Sequence, residues 1–333
     1  MKILVTGSAG YIGGTFSFEA LKRGHEIIGI DNFSNSNDRI PKVLEEKFKN
    51  TFSFSEIDLA HEPEKINILM EASDPDVVIH FAGLKAVGES ENQPILYWEN
   101  NLLSSINLLG AMKKTNKSKI VFSSSATVYG STDVQPINEA SQIQSMSTYG
   151  STKIAIEQLL DDAAKAKIAD VISLRYFNPV GAHKEKIIFE NPFDSPNNLM
   201  PRIIRVGLSI DEKISIFGND YDTKDGTGER DYIHVMDLID GHFAAIEYVM
   251  KCSGSIKVNL GTGKSTTVKE LIKTFEDVNK ITIPHTIAPR RQGDVGSCYA
   301  DASLAKKLLG WEAKHSLEEM CKDAWEAVKN ESN

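Results

Sequence analysis

The stretch KILVTGSAGYIGG, residues 2–14, decides the fold of this chain. Lys2–Thr6 is a short apolar run with β-branched residues, which is typical of a buried parallel strand. The glycines that follow predict a tight turn, and the pattern from there through Leu21 to Gly24 is that of a helix. Glu26–Asp31 is the next apolar run, and it ends on an acid. This order of strand, glycine-rich turn, helix, strand and acid predicts a βαβ unit that binds a dinucleotide.

The residues of this unit also indicate which dinucleotide it binds. Gly7, Gly10 and Gly13 allow backbone N–H groups to approach a pyrophosphate at the helix N-terminus. Asp31 is placed to accept hydrogen bonds from the adenine ribose hydroxyls, and its carboxylate repels a 2′-phosphate. We therefore expect NAD rather than NADP. The alternative is that the glycines merely close a turn, because Gly-x-x-Gly-x-x-Gly alone is only moderately specific.

Strands and helices continue to alternate as far as residue 178. The predicted strands are 52–57, 76–81, 119–125 and 169–177, and the long helices are 94–114 and one that begins near 149. This alternation predicts an α/β fold, a doubly wound parallel sheet of the Rossmann type. Beyond it we predict a smaller mixed α/β lobe with a strand at 256–260 and helices at 235–250, 268–279, 302–309 and 317–329. The predicted domains are 1–178, with the helix near 235–250 packing back on it, and 179–333.

Composition excludes several classes of function. The net charge of -9 argues against a nucleic-acid partner, which would normally require a basic stripe. Three unclustered cysteines predict neither a disulfide framework nor a metal site, and they fit a reducing compartment. No apolar run approaches the roughly 20 residues of a membrane span, so we expect no membrane partner and a cytoplasmic location.

Tyr149 and Lys153 are the first candidates for chemistry. Residues four apart lie on one helical face, one turn apart. An ammonium close to a phenol is expected to lower the tyrosine pKa from about 10, which yields a general acid/base usable near neutral pH. His80, within an apolar strand, is interpreted as a core or hydrogen-bonded histidine rather than a catalytic one. A Tyr-x-x-x-Lys pair alone is weak evidence, since such pairs also occur by chance on surface helices.

Ser125 stands at the end of a predicted strand, and a nicotinamide would lie at the same edge of the sheet. Further segments accompany it: 81–90, 122–130, 175–183, 196–201, 216–221, 230–238 and 288–294. Together with Tyr149, Lys153 and the glycine-rich turn, they resemble the UDP-glucose 4-epimerases of the extended short-chain dehydrogenase/reductase family. The resemblance runs from Met1 to about Trp325.

The resemblance implies a UDP-hexose substrate and a reversible oxidation at C4 through a 4-keto intermediate. Tyr149 would take the proton of the 4-hydroxyl while hydride passes to tightly bound NAD. Ser125 would hydrogen-bond the reacting oxygen, and Lys153 would also hydrogen-bond the nicotinamide ribose. Ser125 rather than Ser123 or Ser124 matches the family's position, directly before Ala126.

The family's binding residues can be carried over position by position. The cofactor pocket would comprise Gly7, Gly10, Tyr11, Ile12, Gly13, Asp31, Asn32, Phe33, Ser34, Asn35, Ser36, Asp58, Leu59, Phe81, Ala82, Gly83, Leu84, Lys85, Asn100, Ser125, Tyr149, Lys153 and Phe177. The UDP-sugar pocket would comprise Lys85, Ser125, Tyr149, Asn178, Asn198, Leu199, Ser215, Ile216, Phe217, Arg230, Arg291, Asp294 and Cys298. No metal is expected.

Arg230 and Arg291 suit a diphosphate, because a guanidinium matches phosphate in a bidentate manner; the alternative is surface salt bridging. The sequence departs from the family in two places. The loop 184–191 lacks the small, glycine-containing residues expected there. At the position of Cys298 the family carries either a bulky tyrosine or a smaller residue, and where it is small the pocket tends to admit a 2-acetamido group, so we hypothesise that N-acetylated UDP-hexoses are accepted as well. The alternative is a packing residue without effect on specificity.

Two other functions compete with this interpretation. A nucleotide-sugar 4,6-dehydratase would need an Asp-Glu pair directly after the reactive residue, where this chain has Ala126 and Thr127. A catalytically silent NAD-binding regulator would be expected to have lost Ser125, Tyr149 or Lys153. The helices near 95–114 and 149–166 resemble those of a dimer interface, so a homodimer is expected, although their apolar positions also suit packing on the sheet.

Overall fold

The computed structural model describes residues 1–132, 134–191, 196, 198–291 and 294–331. Parts of two segments that carry the family resemblance, residues 197, 292 and 293, therefore lie outside the described residues. Across the described ranges, every helix is too short or too polar to cross a membrane.

Strands and helices alternate regularly through the first half of the chain and less regularly after it. The strands are β1 Lys2–Thr6, β2 Glu26–Asp31, β3 Phe52–Glu56, β4 Val77–His80, β5 Lys119–Ser125, β6 Asp170–Tyr176, β7 Asn178–Val180, β8 Ile214–Phe217, β9 Glu229–Arg230, β10 Tyr232–His234, β11 Ser255–Leu260, β12 Thr266–Thr267, β13 His285–Ala288 and β14 Ser297–Cys298. The helices are α1 Tyr11–Lys22, α2 Arg39–Lys47, α3 Pro63–Ser73, α4 Val87–Asn92, α5 Pro94–Lys114, α6 Thr148–Lys165, α7 Leu199–Gly207, α8 Val235–Val249, α9 Val268–Asn279, α10 Ser303–Leu309 and α11 Leu317–Glu331. A 3₁₀ turn covers Ala126–Val128.

The central sheet has seven strands in the order β11-β6-β5-β4-β1-β2-β3. The pairs β1–β2, β1–β4, β2–β3 and β4–β5 are parallel. The order reverses at β1, which lies between β4 and β2, and a parallel α/β sheet binds its ligand in the crevice at such a switch point. The predicted doubly wound parallel sheet is confirmed.

The strands are buried because their residues are apolar throughout. Ile3, Leu4 and Val5 of β1 are fully buried, as are Val78 and Ile79 of β4. Continuous apolar runs of this kind are expected where helices cover both faces of a parallel sheet. Removing each such side chain from water contributes about 1.5–3 kcal/mol.

The chain forms two compact units, and each is built from three separate segments. The first unit comprises residues 1–130, 143–175 and 241–258, and the second comprises residues 131–142, 176–240 and 259–333. The predicted contiguous boundary near residue 178 remains a prediction.

The first unit contains most of the sheet. Side chains of α3, α5 and α6, such as Met70, Met112 and Leu160, pack with Leu4 and Phe122 of the strands in one buried cluster. The second half of α8 packs elsewhere in this unit: the ring of Phe243 stacks on that of Phe16 in α1, with centroids 5.0 Å apart.

The second unit has its own core and three small sheets. Its buried cluster draws on α7, α9 and α11 and includes Ile203, Phe275 and Trp325. The sheets are β10–β7, β12–β9–β14 and β13–β8. The mixed α/β character predicted for the smaller lobe is confirmed.

Candidate active site

The glycine-rich turn leaves no room for side chains. Gly7 has φ +70°, and a Cβ there would lie 2.8 Å from the backbone nitrogen of Ala82. A Cβ on Gly13 would lie 2.2 Å from the carbonyl oxygen of Gly7. Helix α1 begins at Tyr11 with Gly10 as its N-cap. The positive end of the helix dipole therefore lies behind a bare backbone turn, which suits a diphosphate.

Asp31, the last residue of β2, holds this turn to the loop that follows the strand. Its carboxylate accepts from the backbone N–H of Ala9 at 3.0 Å, from that of Phe33 at 3.0 Å and from Ser36 Oγ at 2.9 Å. An ionised carboxylate offers about four lone-pair sites. Asp31 is thus fixed in place by protein donors and retains acceptor capacity toward a hydroxyl.

The other candidate cofactor residues of the first unit follow strands of the same sheet. Asp58 and Leu59 follow β3, and Asn32 Nδ2 donates to Asp58 Oδ2 at 3.2 Å. Residues 81–85 follow β4. Parallel strands bring their carboxyl ends to one edge of a sheet. One edge of the sheet therefore carries the candidate cofactor residues 31–36, 58–59, 81–85 and Ser125. The candidate Phe177 belongs to the second unit.

Ser125 and Tyr149 are neighbours in the structure. The Ser125 hydroxyl stabilises the ionised form of the Tyr149 phenol, and Ser125 Oγ accepts from Thr127 Oγ1 at 3.0 Å and from the Thr127 N–H at 3.2 Å. Since Thr127 donates to Ser125 Oγ twice, the serine proton is available to the tyrosine oxygen. The structure thus brings together two of the three candidate catalytic groups.

Lys153 completes the group one helical turn further along α6. Its Nζ donates to the carbonyl oxygen of Ser123 at 2.9 Å and lies 4.7 Å from the ring centroid of Phe122 and 5.8 Å from that of Tyr149. Both Tyr149 and Lys153 are at least nine-tenths buried. Burial lowers the pKa of Lys153 to about 8, and the nearby carboxylate of Glu157 opposes this shift.

The predicted net lowering of the Tyr149 pKa below about 10 is wrong for this structure. Burial raises the pKa of Tyr149 to about 12, and the hydrogen bond from Ser125 only partly offsets it. Withdrawing the phenolate from water is the largest cause of this shift, and Lys153 Nζ lies 5.8 Å from the centroid of the tyrosine ring. Helical spacing predicted the correct face of α6, but it contains no information on burial.

His80 is confirmed as a hydrogen-bonded core histidine. Its Nδ1 lies 2.8 Å from Thr6 Oγ1 and its Nε2 lies 3.0 Å from Ser105 Oγ. Burial, followed by the charge of Lys153, lowers the pKa of His80 to about 3. The imidazole is therefore neutral and connects β1, β4 and α5.

Several residues that position the site were not predicted from the sequence. Asn101, next to the candidate Asn100, accepts from the Leu84 N–H at 2.8 Å and donates to Thr152 Oγ1 at 3.1 Å. It thereby joins the loop after β4 to α6. Ser90, in the unpredicted helix α4, accepts from the Tyr149 N–H at 3.1 Å. Ser90 and Leu84, the partner of Asn101, both belong to segment 81–90, which matches the family. That match is the sequence feature from which their role in positioning the site could have been predicted.

In the second unit, three candidate substrate residues form one cluster. The Arg291 guanidinium lies 4.2 Å from the ring centroid of Phe217, and its Nε donates to Asp294 Oδ2 at 3.2 Å. Ile216 is buried, and Ser215 beside it is exposed. The partial pairing of Arg291 with Asp294 agrees with the salt-bridge alternative, and the position of the guanidinium over the Phe217 ring limits its movement, which suits a bidentate ligand.

Arg230 and Cys298 are neighbours in the sheet β12–β9–β14, where they are register partners. Arg230 Nη1 donates to the backbone oxygens of Glu229 at 2.8 Å and Val295 at 2.9 Å. These two contacts are with carbonyls, which do not neutralise the guanidinium. Burial raises the pKa of the Cys298 thiol to about 11, so this side chain is small and neutral.

The remaining candidates are spread over the second unit. Asn178 begins β7, and its N–H donates to the Asp231 carbonyl at 3.0 Å. Asn198 is the N-cap of α7, which begins at Leu199, and Asn198 Nδ2 donates to Glu190 Oε1 at 2.7 Å.

The loop 184–191 forms a tight turn. Ala182 bridges to Phe189, and the His183 N–H donates to the Ile188 carbonyl at 2.9 Å. Lys186 takes φ +59°, the left-handed conformation that glycine adopts more readily. The chain therefore makes a turn here without the glycine that the family pattern led us to expect.

The first unit's residues fit a dinucleotide. The bare turn at Gly7 and Gly13, the N-terminus of α1 and the fixed carboxylate of Asp31 are what a pyrophosphate and an adenine ribose require. Within the described ranges, no group of three or more His, Cys, Asp or Glu residues could hold a metal ion.

Comparison with known proteins identifies the family. Residues 4–324 match the family model described as GDP-mannose 4,6 dehydratase. The UDP-glucose 4-epimerase of Bacillus subtilis (strain 168) is 48% identical, over 98% of this chain and 96% of the relative. A UDP-glucose 4-epimerase from Stenotrophomonas maltophila, solved with bound NAD and formylated UDP-arabinopyranose, has a TM-score of 0.96 and 42% identity, covering 100% of this chain and 99% of that one.

A third similar structure bears on the substrate. It is the UDP-Glc/GlcNAc 4-epimerase of Campylobacter jejuni, with a TM-score of 0.85 and 34% identity over 99% of this chain and 99% of that one.

Proposed function

This chain belongs to the UDP-glucose 4-epimerases, and we propose from that premise that it interconverts UDP-galactose and UDP-glucose at C4, with NAD as its cofactor. The observation that carries the proposal is the proximity of Ser125, Tyr149 and the buried Lys153 in the unit that contains the glycine-rich turn. The matching family model is described as a dehydratase. Ala126 and Thr127 offer no carboxylate for eliminating water, and therefore epimerisation is favoured.

The chain's own residues account for the proton transfer. Bound NAD⁺ supplies the hydride acceptor and a positive charge. Burial raises the pKa of Tyr149 to about 12, so the phenol would have to be ionised, aided by the positive charge of bound NAD⁺, before it accepts the proton of the sugar 4-hydroxyl. The hydroxyl of Ser125 stabilises the Tyr149 phenolate and is the group through which a proton would pass between Tyr149 and the sugar 4-hydroxyl. Lys153 supplies a nearby ammonium that favours the phenolate once the site is charged by its ligands.

Candidate residues for holding the substrate's diphosphate lie in the second unit. Arg230 and Arg291 are proposed to bind the diphosphate, since each guanidinium is oriented by contacts within its own unit. Cys298, beside Arg230, is proposed to leave space for a 2-acetamido group, so that the chain also accepts UDP-N-acetylhexoses. A relative named for both sugars has a closely similar fold.

The proposed quaternary state is a homodimer formed through α5. Four large apolar side chains of this helix are exposed in the single chain: Ile95, Leu96, Trp98 and Ile106. Contiguous exposed apolar surface marks protein–protein interfaces. The cytoplasm is the proposed location, which agrees with the three cysteines being free thiols.

The experiment that tests the function is incubation of the purified chain, supplied with NAD, with UDP-galactose. We expect UDP-glucose to form, and we expect Tyr149→Phe to reduce kcat about 10²–10⁴-fold because it removes the acid/base group. The variant should retain its bound NAD, which separates loss of chemistry from loss of the cofactor. Formation of a 4-keto-6-deoxy sugar would instead establish the dehydratase, and no conversion at all would support the silent regulator.

A further inference from the structure

Residues 123–125, at the end of β5, contact three successive turns of α6. The first two contacts involve Tyr149 and Lys153, as described above. The third joins Ser124 to Glu157, since Ser124 Oγ donates to Glu157 Oε1 at 2.6 Å. Residues four apart on a helix lie one turn apart. Glu157 is therefore the next member of the helical row that carries the proposed acid/base pair, and it has no role in the proton transfer described so far.

Glu157 is also paired with Arg175, near the end of β6. Arg175 Nε donates to Glu157 Oε1 at 2.9 Å and Nη2 donates to Oε2 at 2.6 Å. Arg175 Nη1 donates to the hydroxyl of Tyr129 at 3.0 Å, just beyond the 3₁₀ turn that follows Ser125. The pair is almost fully buried, with 5% of Glu157 and 4% of Arg175 exposed.

A buried ion pair of this kind is a poor source of stability. Removing both charges from water offsets most of their mutual attraction, and apolar replacements are often equally stable. Its geometry, however, fixes β5, β6, α6 and the 3₁₀ turn to one another at the end that carries Ser125. The position of the pair therefore indicates a role in the active site rather than in the stability of the core.

We propose that Glu157 and Arg175 are a positioning pair for the epimerisation: they fix Ser125 against α6, and the carboxylate of Glu157 keeps Lys153 in its ammonium form. This inference rests on the proposed function, since it assigns roles in that same reaction. Neither residue touches the reacting atoms.

The surroundings of Lys153 support the electrostatic half of this proposal. From α6 it is faced by Tyr149, which is neutral, and by Glu157. From β4 it is faced by His80, whose pKa burial lowers to about 3, so the imidazole is neutral at physiological pH. From β5 it meets the Ser123 carbonyl and an aromatic ring. The carboxylate of Glu157 is the charge that opposes the effect of burial on the pKa of Lys153.

Two further groups reach this region indirectly. Arg175 of β6 offsets part of the charge on Glu157 through their pairing. Tyr97 of α5, whose pKa burial and Glu89 raise, faces Tyr149 and remains neutral. Neither changes the sign of the effect: without the Glu157 carboxylate, the pKa of Lys153 falls further below about 8.

The ammonium of Lys153 sets the expected pH dependence. Lys153 loses its proton as the pH rises through its pKa, and activity that needs the ammonium falls there. Removing the Glu157 carboxylate should therefore move the alkaline limb of the kcat profile to lower pH. Lys153 does not govern the acidic limb of the profile, so the acidic limb should stay in place when the pKa of Lys153 changes.

The deciding variant is the double substitution Glu157→Gln with Arg175→Met, because the single change would leave a buried guanidinium unpaired. We expect kcat to fall about ten-fold or more, KM for UDP-galactose to change by less than about three-fold, and the alkaline limb to move down by about one pH unit. The matched control is Lys119→Met with Asp170→Asn. That pair joins the starts of β5 and β6 at 2.9 Å and should leave the profile unchanged.

The pKa of Lys153 itself gives a readout that needs no turnover. In protein with ¹³C-labelled lysine, its NMR titration, assigned with Lys153→Met, should shift to lower pH in the double variant and not in the control. An unshifted titration and alkaline limb, with kcat near that of the wild type, would overturn the inference. A wild-type chain that fails to epimerise would refute the proposed function alone, since the titration still reports on Glu157.

Ser124→Ala provides a second test should the double variant not fold. It removes only the hydrogen bond from β5 to Glu157 and leaves the ion pair in place. We expect a several-fold lower kcat with an unmoved alkaline limb. A variant with the kcat of the wild type would contradict the positioning role.

Discussion

Cys298 is the residue at which substrate range is expected to be decided. It is a register partner of Arg230, and burial keeps its thiol neutral by raising its pKa to about 11. A tyrosine there would occupy the volume that a 2-acetamido group needs. We expect Cys298→Tyr to reduce kcat/KM for UDP-N-acetylgalactosamine about ten-fold or more. The kcat/KM for UDP-galactose should change by less than about three-fold in the same variant.

Cys298→Ser is the matched control, because it keeps the small volume and should leave both activities nearly unchanged. Turnover of both sugars by wild type and the two variants is the measurement. No detectable reaction of the wild type with the acetamido sugar would refute the dual-substrate hypothesis, whatever the tyrosine variant does.

For individual residues, the sequence predicted which side chains lie together better than it predicted their pKa values. The contact of Ser125 with Tyr149 follows from a strand end and a helix start that meet at one edge of the sheet. The pKa of Tyr149 was mispredicted because burial of the phenol dominates it. Burial at a single atom depends on the packing of distant segments, so helical spacing does not reveal it. The supporting Glu157 was missed for the same reason, since its partner Arg175 comes from another strand.

At the scale of the element, the turn between β1 and α1 is the feature most sensitive to substitution. A Cβ on Gly13 would lie 2.2 Å from the Gly7 carbonyl oxygen, closer than any such contact tolerates. We expect Gly13→Ala to displace this turn and to lower the amount of NAD that copurifies with the protein several-fold. The measurement is the nucleotide released from denatured, extensively dialysed protein.

Gly110→Ala is the control for this prediction. Gly110 lies in α5, and a Cβ there meets nothing within 4 Å in the described part of the chain. Alanine in a helix is favoured over glycine by about 0.5–1 kcal/mol, so this variant should be at least as stable as the wild type. Equal NAD content in all three proteins would contradict a cofactor role for the turn.

Elements with strong periodicity were predicted closely. Strands β1, β2 and β5 and helices α5 and α9 have the bounds expected from the sequence. Continuous apolar runs and long amphipathic helices contain their own signal, since burial of one face dominates their folding.

Short or polar elements were missed instead, among them α2, α3, α4, α7 and the small strands of the second unit. Strands of two to four residues, such as β9 and β14, depend on partners distant in the sequence. Their existence is decided by tertiary contacts rather than by local pattern.

At the scale of the molecule, association through α5 is open to a direct test. Ile95 is 79% exposed and Trp98 is 39% exposed. We expect the double variant Ile95→Glu, Trp98→Glu to sediment as a monomer where the wild type sediments as a dimer, since two charges would have to be buried per chain. The control Ile68→Glu changes a 66% exposed side chain on α3 and should leave the mass unchanged. Identical masses for all three proteins would contradict an α5 interface.

The strand order of the central sheet has a consequence for translation. β11, the neighbour of β6 at one edge, lies at residues 255–260 and β6 at residues 170–176. At about 5–20 residues per second, a ribosome therefore exposes β6 for several seconds before its partner is made. During that interval the nascent chain presents an unpaired apolar strand edge, which is a template for pairing with other chains. The length of the sequence between β6 and β11 thus determines how long the nascent chain depends most on chaperones to prevent aggregation.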